Sequence, residues 1–452
     1  MSRDGDRPLI FFWYNLALVV GLPLVLPYYV FRAIRHGKYL PGFKERLGSL
    51  PSALRFSRGA VKSVIWIHAV SVGEALAARP LAMALRTCYP QARIVISTTT
   101  ETGQQRAREQ LAMLDGHFYF PLDVPGVVTR ALDHIQPSLV IILETEIWPN
   151  FLRACARRSI PVVLVNGRLS DRSFGRYHRV RRWLQPVLAL FTRMLMQSNG
   201  DAERILALGA DPDRVRMIGN LKYEPPDAGE VTRRDRVARE LDAQFGLSSS
   251  PGPLLVAGST VEGEEPMLVK AFEQLRSCPG LEFLRLLIVP RHPERFEAVN
   301  QILSQAGGPI ARRSKPSTTD STASVMMLDS IGELAAVYRF ATVVFVGGSL
   351  VPRGGHNILE PAADGRAVVT GPFTENFRDI LATFVAAQAV KQLPPDTPDG
   401  LIQRFVAVCE ELLVNAESRQ SIGARARMTY EAQSGATARA IEEIKALLEP
   451  EK

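Results

Sequence analysis

From Val64 onward, short unbroken apolar runs alternate with stretches whose apolar positions recur at helical spacing. The runs SVIWIHA, ARIVISTTT, HFYFPLD, SLVIILETE, PVVLVNG, RMLMQS and VRMIGN read as strands. LAARPLAMALRTCY and FGRYHRVRRWLQPVLALF read as helices among them. Strands apolar on both faces, separated by helices, predict a parallel sheet covered on both sides. The rhythm pauses at the Pro- and charge-rich YEPPDAGEVTRRD. It resumes with PLLVAGST, FLRLLIVPRH, SVMMLDS, TVVFVGGS and AVVTGP, and closes with helical patterns near Leu401–Leu413 and Arg419–Leu448. The expected architecture is α/β: two doubly wound domains facing each other across a cleft. Their expected bounds are 36–224 and 251–452, with a linker at 225–250 and an apolar anchor with its basic flank at 1–35. In such folds ligands gather at the C-terminal ends of strands.

Composition changes this picture little: 452 residues with 46% hydrophobic and 22% charged content describe an ordinary globular chain. Cys88, Cys155, Cys278 and Cys409 are far apart and form no metal or redox motif, so free thiols are expected. The net charge of +8 favours an anionic partner. No zinc-finger spacing or RNP-type motif points to nucleic acid. The uncharged stretch Pro8 to Phe31 is long enough to cross a bilayer core, and Arg32, Arg35 and Lys38 follow it. The positive-inside rule then puts the body of the protein on the cytoplasmic side of a membrane, held by a span or a kinked, partly embedded anchor. The basic segment after it, with Lys44, Arg46, Arg55, Arg58 and Lys62, suits an anionic membrane surface or a helix packed on the domain.

Candidate chemistry collects at strand ends. In WIHAVSVGEALAARPL, Glu74 opens a helix, where it either complements the helix dipole or serves as a general base. In SLVIILETEIWPNFL, Glu144 and Glu146 follow an apolar strand, a costly place for carboxylates unless they are paired or functional. Lys222, in RMIGNLKYE, could steady a leaving phosphate. Arg291 and His292 end a strand in IVPRHPERF, and an arginine fork suits phosphate. Gly332 in LDSIGEL leaves backbone N–H groups near a helix start. In FVGGSLVPRGGHNILEPAADGRAVVTGP, Gly354 and Gly355 allow close approach of a ligand. The following helix N-terminus suits phosphate, and Glu360 suits ribose hydroxyls. No Walker A or HExxH motif occurs, and turn chemistry accounts for Asp211-Pro212-Asp213.

Together HAVSVGE, ETEIWPN, NGRLSDRS, GNLKYE, PRHPERF, GGSLVPRGGHNILEPAA and GPFTENFRDI closely resemble the 3-deoxy-D-manno-octulosonic acid (Kdo) transferases of Gram-negative bacteria, glycosyltransferase family 30. The resemblance runs over nearly the whole chain. It implies a GT-B fold, attachment to the cytoplasmic face of the bacterial inner membrane, and CMP-Kdo as donor with a lipid A precursor as acceptor in lipopolysaccharide biosynthesis; no metal or other cofactor is expected. It implies Glu74 as general base, with Glu144 and Lys222 stabilising the transition state. It places CMP at Pro290, Arg291, Ile331, Gly332, Glu333, Asn357, Ile358, Leu359 and Glu360. The rival readings are another GT-B enzyme using a UDP-sugar and a non-catalytic, membrane-anchored nucleotide binder.

Overall fold

The computed structural model describes residues 10–21, 42–55, 63–226, 228–304 and 310–448. They divide into two compact units, Met1–Glu224 with Ser434–Lys452, and Pro225–Gln433.

The first unit holds β1 (Val64–His68), β2 (Arg93–Thr98), β3 (Gly116–Tyr119), β4 (Leu139–Leu143), β5 (Val162–Gly167), β6 (Arg193–Met196) and β7 (Val215–Met217). They form one parallel sheet in the order β3-β2-β1-β4-β5-β6-β7. Trp66, Val95, Phe118, Val140 and Ile142 pack on one face with Phe151. Ile65, Ile67, Ile94, Ile96 and Ile141 pack on the other with Leu81 and Leu85. Both faces are buried, which is why the runs are unbroken rather than alternating. The order reverses between β1 and β4, so chain leaves the sheet in opposite directions there and opens a crevice at the strands' C-terminal ends.

The second unit holds β8 (Leu254–Thr260), β9 (Arg285–Pro290), β10 (Ile310–Arg312), β11 (Val325–Met327), β12 (Val343–Val346), β13 (Ala367–Thr370) and β14 (Lys391–Gln392). Its sheet is also parallel, in the order β10-β11-β9-β8-β12-β13-β14, with its switch between β8 and β12. The edge strands β10 and β14 have no counterpart among the expected runs. They are short and carry Arg312, Lys391 and Gln392, because an edge buries less and needs less apolar sequence.

Three further differences matter. The expected linker contains an eighteen-residue helix of the second unit, Ala228–Phe245, which buries Val237, Ala238, Leu241 and Phe245. The expected final helix is broken at Gly435, which takes φ 85°. The last piece, Ala436–Leu448, belongs to the first unit, where Ala436, Ala440, Ile441 and Ile444 join the core beside Leu81 and Leu85.

The N-terminal anchor needs correction. Among the described residues no helix is long and apolar enough to cross a membrane, which overturns the expected inner-membrane placement through that segment. The helix at 10–21 is about 18 Å long at 1.5 Å per residue, against a hydrocarbon core of about 30 Å. Its Ile10 and Phe11 are buried in the first unit's core. Its Tyr14 hydroxyl donates to Asp123 Oδ2 at 2.9 Å, and Asn15 exchanges hydrogen bonds with Asn150. The rest of the apolar stretch, with Arg32, Arg35 and Lys38, lies outside the described residues, as do Arg58 and Lys62. Part of the basic segment packs on the domain: Arg46 stacks over the Tyr119 ring at 4.5 Å, and Leu50 and Leu54 are buried.

Candidate active site

In the first unit the polar groups sit along the C-terminal edge of β1, β4, β5, β6 and β7. Ser71 caps the helix Val72–Cys88, and its hydroxyl accepts from the Glu74 N–H. Glu74 answers as in a capping box: Oε1 accepts from the Ser71 hydroxyl at 2.9 Å and Oε2 from the Val70 N–H at 2.7 Å. Glu74 therefore does act as a helix-terminus residue. It is also only 7% exposed and feels the charges of Glu144 and Lys222. Burial raises its pKa, the Val70 N–H opposes this, and the Glu144 charge adds to the rise.

Glu144 leaves β4 with φ 55°, the left-handed region, while its N–H still pairs with the Val165 carbonyl. Such backbone is uncommon for a glutamate and recurs at functional turns. The Lys222 ammonium lies 3.5 Å from Glu144 Oε1. Glu146 joins them: burial first, then Glu74 and Glu144, push its pKa up to about 7, with the Trp148 indole opposing. A carboxylate with that pKa holds and releases protons near neutrality. The Thr145 hydroxyl donates to the Arg168 carbonyl, tying this turn to the NGRLSDRS segment.

Lys222 stands on a single turn, Leu221–Tyr223, held from both sides. Asn166, at a bulge in β5, accepts from the Leu221 N–H at 3.0 Å. The Asn166 carbonyl accepts from Gln197, which accepts from Asn220, which accepts from the Lys222 N–H. From the closing helix and its start, Arg439 donates to Ile218 O at 2.7 Å and Ser434 to Tyr223 O at 2.7 Å. The Thr437 N–H reaches Glu224 Oε1. Asn166, Gln197, Asn220 and Arg439 went unassigned in the sequence. Of these, NGRLSDRS and GNLKYE were at least visible as motifs, whereas Arg439 had no signal because its helix was assigned to the other domain.

In the second unit, Pro290 ends β9 and is buried. Arg291 is exposed, pairs through its N–H with Thr260 O at 2.9 Å, and makes no ion pair among the described residues. Its charge reaches His356 and Glu360: burial, Arg291 and His292 push the His356 pKa down to about 4. Burial raises the Glu360 pKa, with Arg234 and Arg291 opposing. Arg291, His356 and Glu360 thus share one neighbourhood. Ile331 is 78% exposed and Gly332 takes φ 82°. The Glu333 carboxylate is already engaged by Arg313 at 2.9 Å and by Ser330. Asn357 Oδ1 caps the Leu359 N–H at 3.1 Å at the start of a five-residue helix, Leu359–Ala363. The side chains of Ile358 and Leu359 are buried, which leaves only their backbone for a ligand.

The glycine pairs have a packing reason. A Cβ on Gly348 would lie 2.9 Å from the His356 ring, and one on Gly354 2.4 Å from the Asn376 amide; both residues also take positive φ. The amides after β12 are occupied by a residue the sequence did not single out. Glu264, fully buried, accepts from the N–H groups of Gly348, Ser349, Leu350 and Val261 at 2.8 to 3.0 Å. Among the described residues no group of three or more His, Cys, Asp or Glu could hold a metal ion. Asp211 and Asp213 form a turn in which Asp211 accepts from the Asp213 N–H.

Two parallel sheets of this kind give the chain a GT-B-like fold. UDP-GlcNAc 2-epimerase of Neisseria meningitidis shares the fold, with a TM-score of 0.56 over 84% of this chain and 99% of that one at 12% identity. The family model for 3-deoxy-D-manno-octulosonic-acid transferase (kdotransferase) matches residues 41–225. The 3-deoxy-D-manno-octulosonic acid transferase of Haemophilus influenzae is 34% identical over 97% of this chain and 99% of its own length. That of Bordetella pertussis is 31% identical over 95% and 98%. The chain belongs to the Kdo transferase family and is a glycosyltransferase of lipopolysaccharide biosynthesis.

Proposed function

We propose that the chain moves Kdo from CMP-Kdo to a hydroxyl of a lipid A precursor, lipid IVA, with inversion at the anomeric carbon. The observation that carries the mechanism is the meeting of Glu74, Glu144, Glu146 and Lys222 at the switch point of the first sheet. Glu74 takes the proton of the acceptor hydroxyl as its oxygen bonds to the anomeric carbon. The carbon–phosphate-oxygen bond breaks, and CMP departs with the electron pair. Positive charge develops on the sugar ring, and Glu144, held by Lys222, is the group placed to meet it. Glu146, its proton affinity raised, is partly protonated near neutrality and so limits the repulsion that a third fully ionised carboxylate would add.

The second unit holds CMP in this reading. Arg291, without an ion pair among the described residues, takes the single phosphate, and the backbone at 331–333 and 357–360 with Glu360 takes the base and ribose. One phosphate is a charge that an arginine can meet, so the reading requires no metal. An assay with CMP-Kdo and lipid IVA, read by mass spectrometry, should give the Kdo-bearing lipid. Calorimetry should show CMP binding tighter than UDP, weakened in Arg291→Ala by roughly 1.5–3 kcal/mol. Turnover of a UDP-sugar, or no product from CMP-Kdo, would overturn the reading.

A further inference from the structure

The helix Ala228–Phe245 reaches the turn at 331–333 from two directions. Arg233 donates from Nη1 and Nη2 to the carbonyl oxygen of Gly332, at 3.0 and 3.1 Å. The same guanidinium is gripped by Glu230, at 2.9 Å through Nε and 2.8 Å through Nη2. On the other side of the turn, Glu333 is held by Arg313. Arg313 is itself backed by Glu240 at 2.8 Å and Gln244 at 3.2 Å, both from that helix. The turn has no helix or strand of its own, Gly332 is left-handed, and Ile331 is 78% exposed. Among the described residues the N–H groups of Ile331 and Gly332 donate to no acceptor.

An exposed glycine turn ordinarily samples several conformations. Ordering it with two arginines, each carrying its own carboxylate, costs side-chain freedom that a plain connecting turn has no reason to spend. Preorganised donors on an otherwise unsupported edge are what selective recognition needs. The free groups are N–H donors, and they suit a planar ring edge rich in acceptors. Cytosine presents two adjacent acceptors, O2 and N3, whereas uracil carries a proton on N3.

We infer that Arg233, locked by Glu230, is a positioning residue that holds the 331–333 backbone in register with the cytosine edge and so sets the preference for CMP over UMP. This rests on the reading that the turn belongs to the nucleotide site. Calorimetry with CMP and UMP on the full chain tests it, with Arg291→Ala as the phosphate-side control. Arg233→Ala should weaken CMP by roughly tenfold or more and bring the CMP-to-UMP ratio toward one. Arg233→Lys and Glu230→Gln should fall between it and the parent. Arg291→Ala should weaken both nucleotides equally and keep the ratio. If Arg233→Ala or, where it does not fold, Arg233→Lys leaves the ratio at the parent value while Arg291→Ala weakens binding, the positioning role is overturned and the nucleotide site stands. If neither Arg233→Lys nor Arg291→Ala alters CMP binding, the nucleotide reading itself is overturned.

Discussion

Glu74 and Glu264 occupy the same place in their two units. Each follows the first strand of its sheet through a short turn, enters the next helix at its first turn, and faces the switch point. Their surroundings are opposite. Glu264 is fully buried and receives four backbone N–H groups, three of them from the loop after β12, so its charge is spent on joining two strand ends. Glu74 receives one N–H and one hydroxyl, and its neighbours are two further carboxylates and a lysine. A carboxylate saturated by amides is structural mortar. One left partly satisfied beside like charges has proton affinity to use. A glutamate at this position is therefore not evidence of catalysis; its hydrogen-bond partners decide.

The strongest test of that contrast is Glu74→Gln. Turnover should fall by roughly two to four orders of magnitude, while stability shifts by no more than about 1 kcal/mol, the value of a helix-terminus charge. Near-normal turnover with a lowered melting temperature would make Glu74 a second Glu264. The converse is Glu264→Ala, which strands several buried amides. It should cost roughly 3–5 kcal/mol in denaturant unfolding, and an unfolding midpoint equal to the parent's would erase the distinction.

Smaller effects sharpen it. Arg439→Ala releases one side of the Lys222 turn and should lower kcat about tenfold, the size of one lost charge-assisted hydrogen bond. In a Lys222→Ala background it should cost nothing more, because the cycle isolates their coupling; full additivity would detach Arg439 from the site. The smallest effect concerns Glu146. Its folded pKa, about 7, lies above the ordinary carboxylate value of 4.5, so the folded state binds more protons between those values. Stability from this group is therefore greatest below pH 4.5 and lost as pH rises through 7. Glu146→Gln should gain unfolding stability relative to the parent at pH 8 but not at pH 4.5, by less than about 1 kcal/mol after allowance for its partial exposure. An equal gain at both pH values would place the pKa elsewhere.

Much of this was legible in the chain. The unbroken apolar runs became twelve of the fourteen strands among the described residues, because burying both faces of a parallel sheet leaves no polar option at those positions. Glu74, Glu144 and Lys222 were visible because each sits at the end of such a run, where a charge has no packing reason to be. Other features were not legible. The apolar N-terminal stretch met the length criterion for a membrane span, yet helix 10–21 buries Ile10 and Phe11 in the domain core. Apolar length is the same signal in both settings. Only packing partners tell them apart.

The sequence by itself determined the strand and helix alphabet, the two-sheet α/β class and the family, since these rest on local periodicity and on motifs read along the chain. Tertiary structure decided which charges meet. Glu74 and Glu146 stand 72 positions apart, yet the Glu74 charge raises the proton affinity of Glu146. Arg233 and Gly332 are 99 positions apart and share two hydrogen bonds. Arg439 crosses from the far end of the chain to support Lys222. Hydrogen bonds and charge interactions act over a few ångströms in space and carry no period along the chain, so only the folded structure separates the glutamate that can move a proton from the one that holds a loop.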